Sequence, residues 1–317
     1  MEYIKEKWST EIFTLTIGAK ENEGGTRNKV LKIGGQKTLP FLKFEGEIPN
    51  KPIVAAEVLD FLPEDLWPTF YRQFRDLVKD PLLWIKEIEE SNPDAICVRL
   101  LSCHPDIKNN SKEYLQEFVP EILKITKLPL IILGSGHIEK DAEILPFVAE
   151  LTKGEKILLG MIVKENYKTI ITSLINFDHS VIVETPLDIN LAKQLNILIT
   201  DSGFPLDRIV MHHTTAGLGY GFEYCYSIIE RCRLAGLQGD KVMATPIINL
   251  VSEEAWKTKE AKSTIEEEPS WGEDEIKRAI VWETTTALGY LNAGADILVL
   301  IHPESIRKVK NLIYQIG

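Results

Sequence analysis

Between residues 52 and 303 one pattern recurs eight times: a short run of consecutive apolar, mostly β-branched residues, then a longer stretch with apolar positions at helical spacing. The short runs are "PIVAAEVLD" (52–60), "AICVRLL" (95–101), "PLIILGSG" (129–136), "KILLGMIV" (156–163), "SVIVETP" (180–186), "RIVMHHT" (208–214), "TPIINLV" (245–251) and "DILVLIHP" (296–303). They are unbroken rather than alternating, as expected of strands covered on both faces. The stretches between them, such as "EKDAEILPFVAELTK" and "HPESIRKVKNLIYQI", read as amphipathic helices. Strict strand–helix alternation implies a parallel sheet. Eight repeats within about 265 residues predict a closed (β/α)8 barrel, a TIM barrel. An open doubly wound sheet is the alternative. Against it, no GxGxxG follows the first strand, and the strand count stops at the number that closes a barrel.

The first fifty residues differ. "EIFTLTIGA" and "NKVLKIGGQ" alternate polar with apolar positions and are joined by the glycine-containing "KENEGGTR", which predicts a β-hairpin. Residues 1–50 are therefore expected to form an N-terminal hairpin extension that covers the N-terminal end of a barrel spanning residues 51–317. A long excursion, "FLPEDLWPTFYRQFRDLVKDP" (61–81), separates the first strand from its helix.

Charge narrows the partners. With 36 basic and 47 acidic side chains the net charge is −11, which excludes wrapping nucleic acid or an anionic membrane surface. No apolar run approaches the ~20 residues needed to span a bilayer, and "MEYIKEKWSTE" lacks a signal-peptide core. A soluble cytoplasmic protein is expected. Cys97, Cys103, Cys225 and Cys232 form no CxxC pair, so neither a cluster, a zinc site nor a disulfide is expected on this chain.

In a barrel the strand ends and the loops that follow them build the site. Those positions supply Glu57, Asp60, Arg99, the "GSGH" of 134–137, Glu184, Asn249, Ser252 and His302. No lysine lies within a strand for Schiff-base chemistry, and no HxH or HExxH spacing marks a metal. Glycines, hydroxyls and amides dominate instead, which suits close approach to a large, flat, polar-rimmed ligand. The sixth strand leads into "HHTTAGLGYGFEY" (212–224), with Gly217, Gly219 and Gly221 at alternate positions. Glycines there either leave a bare backbone ridge for a ligand or only permit left-handed turns. Tyr220 and Tyr224 either stack on a planar ligand or join the core. His212 and His213 are adjacent, so at most one faces the lumen.

The segment "TTAGLGYGFEYCYSIIERCRLAGLQGDKVMATPII" (214–248), with "GGTRNKVLKIGGQKTLPFLKFEGEIPNKP", "PLDINLAKQLNIL" and "EEAWKTKEAK", resembles the small subunit of the corrinoid iron–sulfur protein, in the CO dehydrogenase/acetyl-CoA synthase delta-subunit family. The resemblance spans nearly the whole chain. It implies a (β/α)8 barrel that pairs with a larger subunit carrying a 4Fe–4S cluster and a corrinoid-binding domain. The corrinoid (cobalamin) would be shared between that domain and the C-terminal mouth of this barrel. Its cobalt takes a methyl group from a methyl-pterin, through methyltetrahydrofolate methyltransferase, and passes it to acetyl-CoA synthase. On this resemblance Gly217, Leu218, Gly219, Tyr220 and Gly221 lie against the corrin, with Thr214 and Thr215 placed to hydrogen-bond a cobalt-bound water or a ring amide. No catalytic residue is implied. The alternatives are a paralogous corrinoid-protein subunit with another methyl donor, or a free-standing pterin-dependent methyltransferase, for which Asp188, Asn190 and Asn249 would hydrogen-bond the pterin. Where the family often carries Asp-Pro ahead of the glycine segment, this chain has His212-His213. The aromatic stretches "FLPEDLWPTFYRQF" and "EEAWKTK" either form the surface that meets the larger subunit or serve as local core.

Overall fold

A computed structural model describes residues 4–316. Residues 1–3 and 317, the outermost parts of the expected extension and barrel, lie outside the described residues. The eight apolar runs form strands β3 (Ile53–Leu59), β4 (Ala95–Arg99), β5 (Leu130–Leu133), β6 (Leu158–Ile162), β7 (Ser180–Glu184), β8 (Ile209–His212), β9 (Ile248–Leu250) and β10 (Ile297–Leu300). All pair in parallel, in the order β8-β7-β6-β5-β4-β3-β10-β9. A parallel bridge between Met211 and Ile247, with the Met211 amide donating to Pro246 O at 2.9 Å, joins the two end strands. The expected (β/α)8 barrel is thus the observed fold.

Each strand divides its side chains between two cores, because successive residues point to opposite faces. Ile53, Ala55, Ala95, Cys97, Ile131, Leu133, Leu158, Ile182, Val210, Ile248, Leu250, Ile297 and Val299 fill the barrel interior. Their neighbours Val54, Ala56, Val58, Ile96, Val98, Ile132, Leu159, Val181 and Val183 pack outward under the helices. Burial on both faces explains why the runs read as continuous.

The outer ring comprises α1 (Pro68–Phe74), α2 (Pro81–Ile88), α3 (Lys112–Ile125), α4 (Ile138–Leu151), α5 (Tyr167–Leu174), α6 (Ile189–Asp201), α7 (Phe222–Leu237), α8 (Val251–Ala255), α9 (Lys259–Lys262), α10 (Glu275–Ala293) and α11 (Pro303–Ile316). Several start where a short polar side chain accepts the first free amides. Asp80 caps α2, Asp188 caps α6, Thr258 caps α9 and Asp274 caps α10. The β9 strand is shorter than its apolar run, since Val251 already begins α8.

The N-terminal hairpin pairs β1 (Leu15–Ile17) with β2 (Leu31–Ile33) in antiparallel register. Leu15, Ile17 and Ile33 join the interior cluster beside Ile53, Ala95, Ile131 and Leu158, residues at the strand starts. The hairpin therefore plugs the N-terminal end of the barrel. Buried Arg27 fastens it: the guanidinium meets Glu155 at 2.8 Å and donates to the carbonyls of Thr126 at 2.9 Å and Leu123 at 3.0 Å. The largest aromatic side chains of the excursion turn inward. Trp67, Phe70 and Trp256 are each 1% exposed, and the Phe70 ring packs on Trp256 at 5.3 Å and Trp84 at 5.7 Å. Those three residues belong to the local core that seats α1 and α8, the other role open to these stretches.

Candidate functional site at the C-terminal mouth

Extending the inward alternation by one step in four strands places Glu57, Arg99, Glu184 and His212 at the top of the lumen. They form two pairs. Arg99 Nε donates to Glu57 Oε1 at 2.8 Å, and Arg99 Nη1 reaches Glu253 at 2.7 Å. The Ser252 hydroxyl donates to the other Glu57 oxygen. Lys257 extends the chain of charges to Glu253 at 3.1 Å and Glu254 at 2.9 Å. Glu57 is fully buried. Burial works against the charge of Glu253, but Arg99 and then Lys257 overcome it and hold that carboxyl at about 2. Arg99 is likewise held charged: burial opposes it, and Glu253 and Glu57 raise its pKa further above the usual range. In the second pair, His212 Nδ1 lies 3.1 Å from Glu184 Oε1, and its Nε2 lies 3.1 Å from Thr215 Oγ1.

Two more buried carboxyls brace the loops. Asp60 accepts the Ser102 amide at 2.8 Å and the Ser102 hydroxyl, which in turn accepts from Asn110 at 2.9 Å. Burial pushes the Asp60 carboxyl up to about 6, against these hydrogen bonds. Asp141 accepts the amides of Ser135 at 2.7 Å and Gly136 at 3.0 Å. A Cβ at Gly134 would stand 2.5 Å from that carboxylate, so this glycine serves packing.

The glycine loop after β8 is tied down from behind. Ala216 N donates to Tyr290 Oη at 2.8 Å, and Tyr290 Oη donates to Ala216 O at 2.7 Å. Trp282 Nε1 donates to Leu218 O at 3.2 Å, and the Lys259 amide donates to Tyr220 Oη at 2.9 Å. The three glycines do different work. A Cβ on Gly217 would lie 2.5 Å from the Thr258 methyl, so Gly217 lets the loop lie on the α8–α9 turn. Gly219 sits at φ +81° with nothing within 4 Å of a Cβ position, so its backbone faces open space. Gly221, at φ +94°, is the residue ahead of α7. Tyr220 and Tyr224 are 50% and 65% exposed, so neither joins the core.

Thr215 is buried, and its hydroxyl oxygen accepts from Asn249 Nδ2 at 3.2 Å and from the Leu250 amide at 3.1 Å. The fold thus unites Thr215 and Asn249, and the Asn249 Oδ1 keeps no partner among the described residues. Thr214 is half-buried at φ +70° and lines a cleft with Glu184, Pro186, Leu191 and Leu195. Asp188 and Asn190 stand apart on the exposed rim: one Asp188 oxygen accepts the amides of Asn190 at 2.8 Å and Leu191 at 3.1 Å. His213 is fully buried, and burial, with the nearby charges of His212 and Arg233, depresses it to about 3. It is a neutral core histidine.

Three clefts run across the mouth. The largest, about 690 Å³, lies between Phe61, Leu66, Trp67, Arg99, Asp106, Glu253 and Lys257. A small central one shares Arg99 with it and reaches Glu184, and the Thr214 cleft, about 290 Å³, shares Glu184 and Val163 with the central one. Among the described residues no group of three or more His, Cys, Asp or Glu is arranged to hold a metal ion. The cysteines are buried as free thiols, with Cys103 and Cys232 each pushed by burial up to about 12. Among the described residues, no helix is long and apolar enough to cross a membrane.

Residues 15–314 match the family described as CO dehydrogenase/acetyl-CoA synthase delta subunit. The acetyl-CoA decarbonylase/synthase complex subunit delta 2 of Methanosarcina acetivorans is 35% identical over 312 residues, covering 96% of this chain and 71% of that protein. The delta subunit of Methanocaldococcus jannaschii is 33% identical, covering 97% of this chain and 74% of the relative. The chain belongs to this delta-subunit family. Solved structures agree on the barrel. A dihydropteroate synthase of Coxiella burnetii in complex with pteroic acid superposes with a TM-score of 0.57 at 10% identity, covering 96% of this chain and 99% of that one. That of Xanthomonas albilineans, with indole-2-carboxylic acid and 6-chloroguanine, gives 0.56 at 11%, covering 84% and 93%. At such identities the likeness is one of fold.

In this delta-subunit chain the glycine segment was legible, because three glycines between a strand and a helix stand out. The charged floor of the mouth was less so. Glu57, Arg99 and Glu184 are visible as strand ends, but their pairing with one another, and with Ser252 and Glu253 from beyond β9, is not. The usable signal was the alternation itself: two residues past an inward alanine, cysteine or isoleucine, the next side chain also faces the lumen.

Proposed function

We propose that this chain is the barrel half of a methyl-carrying corrinoid protein, with a mouth that covers a corrinoid held together with a larger partner subunit. Its family membership supports the reading, and the observation that carries it is the exposed backbone of Gly219, in the loop whose first residue, Thr214, lines a cleft of the mouth. A corrin ring is wide and flat with amide arms, and it needs close backbone approach together with peripheral hydrogen-bonding groups. The residues fit: Gly219 offers bare backbone, Leu218 and Tyr220 flank it, and the half-buried Thr214 hydroxyl is at hand. Gly217 is already packed against Thr258 and would hold the loop rather than touch the ring. When bound, the corrinoid supplies a cobalt that accepts and releases a methyl group.

The role of this chain's own residues is to shape and shield that space. Arg99 and Lys257 pair with Glu57, Glu253 and Glu254 and fix their positions, so the floor presents a set pattern of polar groups. Thr215 and Asn249 hold the loop stem to β9. The 4Fe–4S cluster would belong to the larger subunit, the donor would be a methyl-pterin delivered by its methyltransferase, and the acceptor would be acetyl-CoA synthase.

A second reading, a free-standing pterin methyltransferase, rests on the unpartnered Asn249 Oδ1 at the mouth. Asp188 counts against it, being engaged as a helix cap. The deciding experiment purifies the chain alone and with a corrinoid-binding large subunit, then records visible spectra and methyl transfer from a methyl-pterin. Corrin absorbance that appears only with the partner supports the first reading. Methyl transfer to free cobalamin by the isolated chain supports the second and removes the first.

A further inference from the structure

We infer that the Thr214 cleft binds a primary amide group, whose N–H bonds Glu184 accepts; reading that group as an amide arm of a corrin rests on the function proposed above. Glu184 ends β7, His212 ends β8, and the two are register partners. Hydrogen bonding fixes one side of Glu184. Thr215 Oγ1 accepts from Asn249 Nδ2 at 3.2 Å and from the Leu250 amide at 3.1 Å. Both lone pairs of the hydroxyl are thus taken, and its hydrogen is left to donate. His212 Nε2, 3.1 Å away, receives it. A neutral imidazole that accepts at Nε2 carries its proton on Nδ1. That N–H donates to Glu184 Oε1 at 3.1 Å. One carboxyl oxygen is thereby anchored to the stem of the glycine loop. The other, Oε2, has no partner among the described residues. The side chain is 31% exposed and Oε2 is not sealed off, so a ligand in the cleft can reach it. Arg99, which lines the central cleft with Glu184, is committed to Glu57 and Glu253.

The lining sets the class of ligand. Val163, Pro186, Leu191 and Leu195 give apolar walls to a space of about 290 Å³. Its charged residues are Glu184, Glu165 and Lys164, the last two exposed and in no ion pair among the described residues. Two carboxyls against one ammonium disfavour an anion. A cation would suit Glu184 but would meet Lys164 as a like charge. A primary amide suits both: its N–H bonds point to Oε2, its carbonyl oxygen accepts from an ammonium, and its carbon stem lies on the leucines. Thr214, on the wall, is held at φ +70°, a conformation that β-branched residues avoid and that gathers at binding sites.

The test uses the full chain with labelled leucine and isoleucine methyl groups and labelled histidine ring nitrogens, observed by NMR. Propionamide, a mimic of a corrin arm, is expected to shift the Leu191 and Leu195 methyls saturably in the millimolar range. Leu291 and Ile313, near the C-terminal ends of α10 and α11, should not move. Methyl propionate, n-propylammonium and propionate should each bind at least about tenfold more weakly. The nitrogen shifts of His212 should place its proton on Nδ1. In Glu184→Gln the single carbonyl oxygen stays with His212 and an N–H2 group turns to the cleft. Propionamide should then bind about tenfold more weakly while the Leu291 and Ile313 methyls keep their positions. Absence of a saturable shift up to ~100 mM propionamide overturns the site. Undiminished binding by Glu184→Gln overturns the role of Glu184, and a bare Nδ1 overturns its anchoring by His212. Equal binding of any of the three other probes overturns the amide class. The corrin arm is read separately, from corrin absorbance of the desalted complex with a corrinoid-binding large subunit. Weaker retention by Glu184→Gln than by the unaltered chain supports the arm, and equal retention keeps the corrinoid reading but overturns the arm. An unaltered complex without corrin, alongside intact propionamide binding, removes the corrinoid reading and the arm with it and leaves the amide site standing.

Discussion

Removing the guanidinium of Arg99 would expose how the mouth is held together. In Arg99→Met the fully buried Glu57 keeps only the Ser252 hydroxyl, whereas Glu253 still has Lys257 at 3.1 Å. Breaking a buried ion pair from one side typically costs about 3–5 kcal/mol, because a charge is left unpaired. The variant has an escape, which is to protonate Glu57. That route costs about 1.4 kcal/mol for each pH unit above the ordinary carboxylate range, so it sets a ceiling of about 4 kcal/mol at pH 7. The expected loss is thus about 3–4 kcal/mol at pH 7.5. Unfolding 317 residues releases entropy of about 0.7 kcal/mol per degree, so Tm should fall by about 5 °C.

The sign with pH follows. A carboxyl whose folded form prefers the proton contributes stability at low pH and loses it as pH rises, so the deficit should shrink to about 1–2 kcal/mol at pH 5.5. The double variant Glu57→Gln/Arg99→Met removes both charges and should recover most of the loss at pH 7.5. Differential scanning calorimetry of the full-length chain and the three variants, at both pH values, reads all of this. A Tm change under about 1 °C in Arg99→Met would refute the reasoning, and so would an equal loss at both pH values with no rescue by the double variant.

Further outcomes follow from other sites. Glu283 is fully buried, and burial raises its carboxyl to about 7 despite the Ile301 amide at 2.8 Å. Its folded pKa exceeds the unfolded one, so it favours the fold below about 4.5 and that contribution fades as pH rises through about 7. Glu283→Gln should therefore flatten the decline of Tm between those values; an unchanged pH profile would count against it. Gly217→Ala drives a methyl group to 2.5 Å from Thr258 and should cost about 1–3 kcal/mol in thermal unfolding. Gly219→Val meets only the strain of φ +81°, about 1–2 kcal/mol. On the proposed reading it keeps the fold but loses corrin absorbance from the desalted complex. Asp188→Ala should cost about 1 kcal/mol as a lost helix cap and leave methyl transfer unaltered; a large activity loss at unchanged stability would reinstate it as a pterin ligand.

Why some of this was readable and some not comes down to distance along the chain. The strands were legible because burial on both faces is written residue by residue in runs such as Ile53–Leu59. The caps at Asp80 and Asp274 are equally local, since side chain and amide lie within three residues of each other. Even the inward positions of Glu57 and Arg99 follow from counting by two. Their contact does not. Arg99 is level with Leu59 across the sheet, one pleat beyond Glu57, and reaches back to it diagonally. Glu184 and His212, by contrast, are direct register partners. Which arrangement holds is set by strand stagger, and stagger is fixed by closure of the barrel as a whole. The glycine loop divides along the same line. That Gly219 needs a left-handed backbone is a local matter, whereas Gly217 is required by Thr258, a residue brought over it by α8. Spacing in the sequence marks both glycines identically. Only the packed barrel separates the one that holds the loop in place from the one that is left facing the open mouth, where a ligand's approach would be felt.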